Sequence, residues 1–551
     1  MRADQSGVTT MITNTRALAI STLSPIHIGC DEVYEPSNFV IHDGLLHALD
    51  PADLADSLNA SERKQLATLA DQREPIGAIQ RFFRDHAERF AGLSRHQVAV
   101  APDIVNEYER NAGKPTQRGP AGEATYNVFP IARTAYRPFD STPYLPGSSL
   151  KGSIRTAWLN HLNRGAELTP NEQADKRNAA RRLQERLLGY AAGKFENEPF
   201  RHLGLADAHP EDDVTPPPTR VLYAISKKKR LPRDGESLPR GIPIFLETVP
   251  DALPAAFHGE LRLSGKIGWN ELCDACNRFY QPQLEAELAH PVLGTLLDAD
   301  WQKLIKSLVD NELADLIKAR QGFLLRVGRN SGAESVTLDG LRDIKILGKQ
   351  GEKPTYRSAT TQKRFASLSK AGAGNLLPFG WLWVNACDDA HRHLSDGLHQ
   401  KLAARSSALR EAHQAQLLRL EDQQEARAAA SAEAARQQQA IAAAEQARIE
   451  SEVARQAALA SMSPNLRRIE EFKASFAARA EQLRGGRERQ NGDYHARARK
   501  LALEALAGAE WSAEEKCAAA DAIAEWLPKV VEKIDKDQLK KLKLSALRGL
   551  A

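Results

Sequence analysis

Apolar and polar residues alternate over TRALAISTLS (15–24), which predicts a strand, and NFVIHDGLLHALD predicts two short strands turning at Asp43-Gly44. A helical period starts at Pro51 with Ala52, Leu54 and Leu58, and another runs from Ile79 to Phe90. TYNVFPIARTAYR (125–137) returns to β composition, and YLPGSSLKGSIRTAWLNHL (144–162) reads as a loop feeding a helix. Further strands are expected at 201–207, 219–226, 242–248 and 259–264, and helices at 269–289 and 295–319. A glycine-studded segment (322–340) and a last strand, LPFGWLWV (377–384), follow. Short strands interleaved with helices predict an α+β fold with several small sheets. Long loops rich in Pro, Gly and charge are expected around 104–124, 208–218, 227–241 and 345–372.

The pattern changes at Asp389. From there to Met462 the chain has no proline and one glycine, which predicts one long helix or two. Leu402, Leu409, Leu417, Leu418 and Leu420 give a patchy apolar seam, but beyond Arg427 it is mostly alanine, so a tight coiled coil is weakly specified and a solvated spacer is the simpler reading. Ser463-Pro464 ends the helix, and 466–549 has the spacing of three or four short helices, with Trp511, Trp526, Leu527 and Val530 as anchors. The basic, amphipathic end (KIDKDQLKKLKLSALRGL) fits a solvated face, a nucleic-acid contact or a docking helix.

The 551 residues are too many for one core; apolar residues at 42% and charged at 26% are those of a folded globular protein. No apolar run reaches the roughly 18 to 20 residues that span a bilayer, and the first residues resemble neither a signal peptide nor a presequence, so no membrane is expected and the cytoplasm is the default location. Net charge is +4, from 75 Lys and Arg against 71 Asp and Glu, and the excess falls beyond residue 400. Nucleic-acid binding before that point must therefore come from local patches. Five cysteines make no disulfide framework. Cys273 and Cys276 have metal or redox spacing, but lack a second pair and lie in a helical pattern, so buried helix cysteines are the expectation and no metal or cofactor is expected.

The stretch PGSSLKGSIRTAW carries the most chemistry. Pro146 and Gly147 permit a tight turn, Ser148 or Ser149 can cap, and a helix start exposes unpaired N–H groups that favour anions. Lys151 and Arg155 share a helix face, and Gly152 lets a phosphodiester approach the backbone. The spacing is not that of a nucleotide-hydrolysing P-loop.

SPIHIGCDEVYEPSNFVIHDGLL and YLPGSSLKGSIRTAWL, followed by LLRVGRNSGAESVTLDG and LLPFGWLWV, resemble the RAMP superfamily of CRISPR-associated proteins. More narrowly they resemble the head subunit of the type III-A (Csm) effector complex, at the crRNA 3′ end. The resemblance covers 15 to about 386. It implies two ferredoxin-like (RRM-like) modules with inserted loops, expected at 1–200 and 201–388, before a long helix (389–462) and an all-α bundle (463–551). It further implies an antiviral-defence subunit that binds crRNA without cutting it and packs on a neighbouring RAMP backbone subunit, with target RNA or a trans-acting nuclease as further partners. The alternative is a RAMP endoribonuclease in crRNA processing or target cleavage. The added helices depart from the shorter head subunit, and a protein-recruiting adaptor role for them is compatible with the crRNA-binding reading.

A single-stranded guide presents phosphates and 2′-hydroxyls, so its holder needs amides, cations and stacking planes. In RVGRNSG, Gly328 and Gly332 permit close backbone approach, Ser331 lies between them, and Arg326 and Arg329 supply charge; a β-bulge with surface arginines is the plain alternative. In SPIHIG, His27 and Gly29 suit RNA or subunit contact, a structural role, or general acid/base cleavage, although no catalytic partner is evident. Lys228, Lys229 and Arg230 follow Lys227 in an expected loop near Arg233, and TYRSATTQKRF (355–365) mixes Lys363 and Arg364 with rings in a second. Asp31, Glu32 and Asp207 are candidate acids for the enzymatic reading, without metal-cluster spacing.

Overall fold

The computed structural model describes residues 14–72, 75–118, 124–175, 177–212, 214–232, 242–347, 351, 353–387 and 395–549. Arg233 lies outside them. The chain forms two compact units, 1–424 and 425–551.

The first unit is α+β, as expected. Its five-stranded antiparallel sheet runs Gly322–Arg326, Trp381–Ala386, Asn14–Thr22, Phe257–Leu263, Leu203–Leu205. Taken with helices Gly147–Asn163 and Trp269–Leu288, the last four strands have the ferredoxin-like order, with strand 322–326 added at the edge. Ile20 stands opposite Phe257 on one side and Val384 on the other, so the apolar end of the first strand is buried between neighbours. The second sheet runs from Gly29–Tyr34 through Ile131–Thr134, Ile244–Thr248, Arg220–Lys228, His96–Val100 and Leu45–Ala48 to Phe39–His42. Strand Gln362–Ser367 also joins Arg220–Lys228. The hairpin expected at Asp43-Gly44 is present, both residues having positive φ (48° and 77°).

Both sheets draw strands from either side of 200/201, so the expected boundary between two successive modules does not separate them. The reason is that long-range pairing, such as residue 18 with 386, closes the first sheet around everything between. Three expected loops are partly regular: Pro102–Asn111 is helical, Lys227 and Lys228 end a strand, and the segment read as a loop at 355–365 holds strand Thr355–Arg357 and the start of strand Gln362–Ser367. Three tryptophans anchor the core: Trp301, Trp381 and Trp383 are fully buried. Trp301 Nε1 donates to the Leu23 carbonyl at 2.7 Å, satisfying its polar edge at the first strand's exit.

One helix, Asp396–Ser461, spans the expected long segment. Its first turns belong to the first unit, where Leu398 and Leu402 are buried in the main core and Arg405 pairs with Asp251 at 2.7 Å. Ile441, Ile449 and Val453 are exposed, in keeping with the solvated reading. Ending the chain after Gln424 is therefore expected to leave the thermal melting of the α+β unit, followed by near-UV circular dichroism, as it is in the full chain.

The second unit packs Pro464–Leu483, Asp493–Ala507 and Ala513–Val530 with two short terminal helices. Phe476, Ile523 and Val530 are fully buried, and Leu527 and Trp511 nearly so, while Trp526 packs at the edge. The long helix ends at Ser461, before the Ser463-Pro464 break; Ser463 caps the helix that follows, and Ser512 and Glu515 form a capping box on the third.

Candidate nucleic-acid interface

The motifs singled out in the sequence meet in the first unit. The loop after the first strand is held on the last one, with Trp381 N–H donating to Ser24 Oγ at 2.8 Å and Gly380 N–H to the Pro25 carbonyl at 2.9 Å. Arg329 N–H then donates to the His27 carbonyl at 2.8 Å. Gly328 makes this approach possible: its φ is +76°, and a Cβ there would stand 2.3 Å from the His27 oxygen. Ser153 Oγ, two turns into the PGSSLKGS helix, donates to the Arg326 carbonyl at 2.9 Å. Segments around 27, 153, 328 and 380 thus form one connected backbone platform.

The helix start is not the open anion site that its sequence predicts. Its cap comes from Asp207, whose carboxylate accepts from Gly147 N–H at 2.7 Å; Pro146 occupies the cap position, and neither Ser148 nor Ser149 makes a side-chain cap. Gly147 is required because a Cβ would lie 2.4 Å from the Leu205 carbonyl. Asp207 is thereby a capping group, and neighbouring His209 stacks on Tyr144. Lys151 Nζ donates to the Leu203 carbonyl at 2.7 Å, and Arg155 pairs with Glu198 at 2.6 Å and bonds Gln184 at 3.1 Å. Gly152 is exposed, with open space at its Cβ position.

Several expected contact cations are also engaged inside the protein. Arg326 is 1% exposed and pairs with Glu287 at 3.0 Å; Lys363 pairs with the same carboxylate at 2.6 Å, and Trp381 Nε1 donates to it at 2.9 Å. Burial alone would raise the Glu287 carboxyl, but Arg326 and Lys363 overcome it and hold it at about 2. Burial and Arg326 push the Lys363 ammonium down to about 8 against the pull of Glu287. Lys229 pairs with Glu334 at 2.6 Å. Glu287, Arg326, Lys363, Lys229 and Glu334 line a cleft of about 340 Å³ together with Ser331. Ser331 is itself buried, and Gly332 takes φ +93° above Glu334.

What remains on the platform's surface is a smaller set. Arg329 is exposed and has no ion-pair partner among the described residues; Arg230 is exposed and Lys228 half-exposed on the adjoining strand end. Arg364 reaches the Ala224 carbonyl at 3.2 Å and is near enough to Arg329 for the two charges to repel. Of these, Arg329 adjoins the Gly328 bend and Arg364 lies near Arg329.

His27 lies beneath them. Its Nδ1 donates to the Glu247 carbonyl at 2.7 Å, which leaves Nε2 as a bare acceptor, buried without a hydrogen-bond partner. Burial pushes its pKa below the ordinary value, the Glu247 carbonyl opposes this, and Arg329 adds to it. The ring is neutral at pH 7 and fully buried. Gly29 lies against it: a Cβ there would be 3.6 Å from Nε2. The buried Glu247 carboxylate accepts from Thr134 N–H at 3.3 Å and lies 3.8 Å from His96 and Arg133. Glu32 accepts from Tyr136 Oη at 2.6 Å, and Asp31 occupies a positive-φ position at 62°.

Sequence reasoning missed Glu287, Lys363 as its partner, and Glu247. The available signal was a carboxylate inside an apolar stripe: Glu287 adjoins Leu288 and follows Leu284 on the buried face of its helix. Cys273 and Cys276 are buried in that helix, their thiols pushed up by burial.

Comparison with known proteins agrees with the motifs. Residues 19–267 match the RAMP superfamily. The chain is 27% identical over 140 residues to "CRISPR system Cms protein Csm5" of Methanocaldococcus jannaschii, covering 25% of this chain and 28% of that protein. It is 32% identical over 153 residues to the protein of the same name from Streptococcus thermophilus, covering 26% and 37%. The matched regions thus span under two fifths of either relative. Among solved structures it is similar to a chain of the Csm-crRNA-target RNA ternary complex of a type III-A CRISPR-Cas system, at TM-score 0.42 and 17% identity over 68% of this chain and 100% of that one. A second is the crystal structure of T. onnurineus Csm5, at TM-score 0.37 and 17% identity over 67% and 99%. On its sequence matches the chain carries a region at residues 19–267 that matches the RAMP superfamily, and part of its length is similar to two proteins named Csm5.

Proposed function

We propose that this chain is a crRNA-binding subunit of a type III CRISPR ribonucleoprotein, holding the 3′ side of the guide on the platform around Gly328 and packing on a neighbouring RAMP subunit. The supporting observation is the junction of the His27 and Gly328 bends, where a left-handed glycine brings two distant loops into backbone contact beside Arg329 and Arg364. Such a junction offers a phosphodiester strand rigid backbone and unneutralised guanidinium groups. In this reading His27 is a positioning residue. Its ring is buried and fixed on the Glu247 carbonyl, so it sets the loop geometry from below.

The test replaces the surface cations and leaves the buried pairs intact. A Lys228→Gln, Arg329→Gln, Arg364→Gln chain is expected to bind single-stranded repeat RNA roughly tenfold more weakly. Its plot of log affinity against log salt should be shallower by about 2, because each phosphate contact to a single strand contributes about 0.7. The RNA should be recovered at full length from both proteins. Unchanged affinity and slope would remove the platform from the reading, and cleavage that depends on His27 would replace it with the endonuclease alternative.

Among the described residues no helix is long and apolar enough to cross a membrane.

A further inference from the structure

We infer that the C-terminal helical unit carries a phosphate-binding face of its own, formed by the turn 484–492 and the first half of helix 493–507, and that its ligand is single-stranded RNA. The inference does not depend on the platform in the first unit.

Charge is the first observation. Residues 463–551 hold 18 Lys and Arg against 14 Asp and Glu, which equals the chain's whole excess of +4. The excess is concentrated further: 484–500 contains six cations and two acids. Both acids are already engaged, Glu488 by Arg479 at 2.7 Å and Asp493 by Arg497 at 2.9 Å. Arg487, Arg489 and Arg499 are exposed and have no ion-pair partner among the described residues, while Lys500 has only a long contact of 4.0 Å to Glu504. Like charges crowded on one turn repel unless an anion covers them.

His495 is the second, independent observation. It is 3% exposed, and its Nδ1 accepts from Asn491 N–H at 3.0 Å. That bond puts the ring proton on Nε2, which is buried and has no hydrogen-bond partner. Burial, and then Arg499, keep the ring's pKa below the ordinary value, so Nε2–H remains a neutral donor. The residue lines a concave surface of about 390 Å³ with Asn491, Arg499, Lys500 and Glu504, whose carboxylate stands 4.0 Å from Lys500. An unsatisfied donor beside a hollow whose two cations outnumber its one carboxylate calls for an acceptor-rich anion.

The chemistry favours phosphate over carboxylate. Five of the six cations are arginines, whose planar forks bind phosphate oxygens in pairs, and Gly485, with open space where a Cβ would stand, leaves the turn's backbone open to close approach. Repeated phosphates along a flexible strand can meet both the turn and the hollow.

The test uses the full chain and a fluorescein-labelled oligouridine, with affinity read by anisotropy across a salt series. Arg487→Gln, Arg489→Gln, Arg499→Gln together should lower affinity roughly tenfold and flatten the salt slope by about 2. The same loss should appear when these changes are added to the Lys228, Arg329 and Arg364 variant, which separates the two faces. His495→Leu should weaken binding with the slope unchanged, since it removes a neutral donor; the arginine variant, altered only at exposed positions, stands if that one misfolds. Unchanged affinity and slope in both backgrounds would overturn the proposal. Equal binding of poly-glutamate would overturn the RNA assignment in favour of an acidic protein partner.

Discussion

Replacing Glu287 by Gln is expected to destabilise the α+β unit by about 3–5 kcal/mol, the cost of leaving buried charges without their counter-ion. Arg326 and Lys363 both rest on this carboxylate, at 3.0 and 2.6 Å, and neither side chain has ready access to water. The glutamine keeps the size and part of the hydrogen bonding to Trp381, so the loss reports charge. Denaturant unfolding, followed by the near-UV signal of the buried tryptophans, measures it; a change under about 1 kcal/mol would mean that the charges are solvated. The pH dependence carries the same signature. The Glu287 carboxyl is lowered to about 2 in the folded state, so its contribution is complete above its ordinary value of 4.5 and is lost as pH falls from there toward 2. Lys363 is lowered to about 8 from 10.5, so between those values the unfolded chain holds more protons, and this group makes stability rise with pH. In the Gln variant the acid limb attributable to Glu287 should vanish.

Gly328→Ala is expected to cost about 2–5 kcal/mol and to disrupt the platform with it. A left-handed conformation for an L residue accounts for roughly 1–2 kcal/mol, and overpacking against fixed backbone for about 1–3. The clash is with the His27 carbonyl at 2.3 Å, which is backbone and cannot swing aside. Relief requires the two loops to part, breaking the Arg329 N–H to His27 bond. Gly152→Ala is the matched control: its site is helical, exposed and open, so alanine should be neutral or add about 0.4–1 kcal/mol. If RNA passes over that helix face, Gly152→Ala weakens binding in a protein that melts no lower than the parent. Calorimetry beside RNA anisotropy on the two variants separates fold from contact.

The elements close to one another in the chain were legible. The Asp43-Gly44 hairpin, the helix from 147, the cysteine-bearing helix and the Ser463-Pro464 break follow from local pattern, because turn chemistry, capping and periodicity act over a few residues. The glycine at 328 was legible as a demand for unusual backbone, though nothing local said that the demand comes from His27. The cations were read least well. Lys151, Arg155, Lys229 and Arg326 look alike in sequence to Arg329, yet the first four are held by groups far along the chain.

By itself the sequence determined the secondary elements, the change of character near residue 390, the basic excess at the C-terminal end and the motifs of the RAMP-superfamily region. Only the tertiary structure decided which strands share a sheet, which carboxylate neutralises which cation, and which guanidinium groups are left facing water. The reason is physical: local propensity depends on neighbours a few residues away, whereas the fate of a charge depends on burial and on partners 39 to 220 residues distant, such as Glu287 for Arg326 and Glu247 for His27.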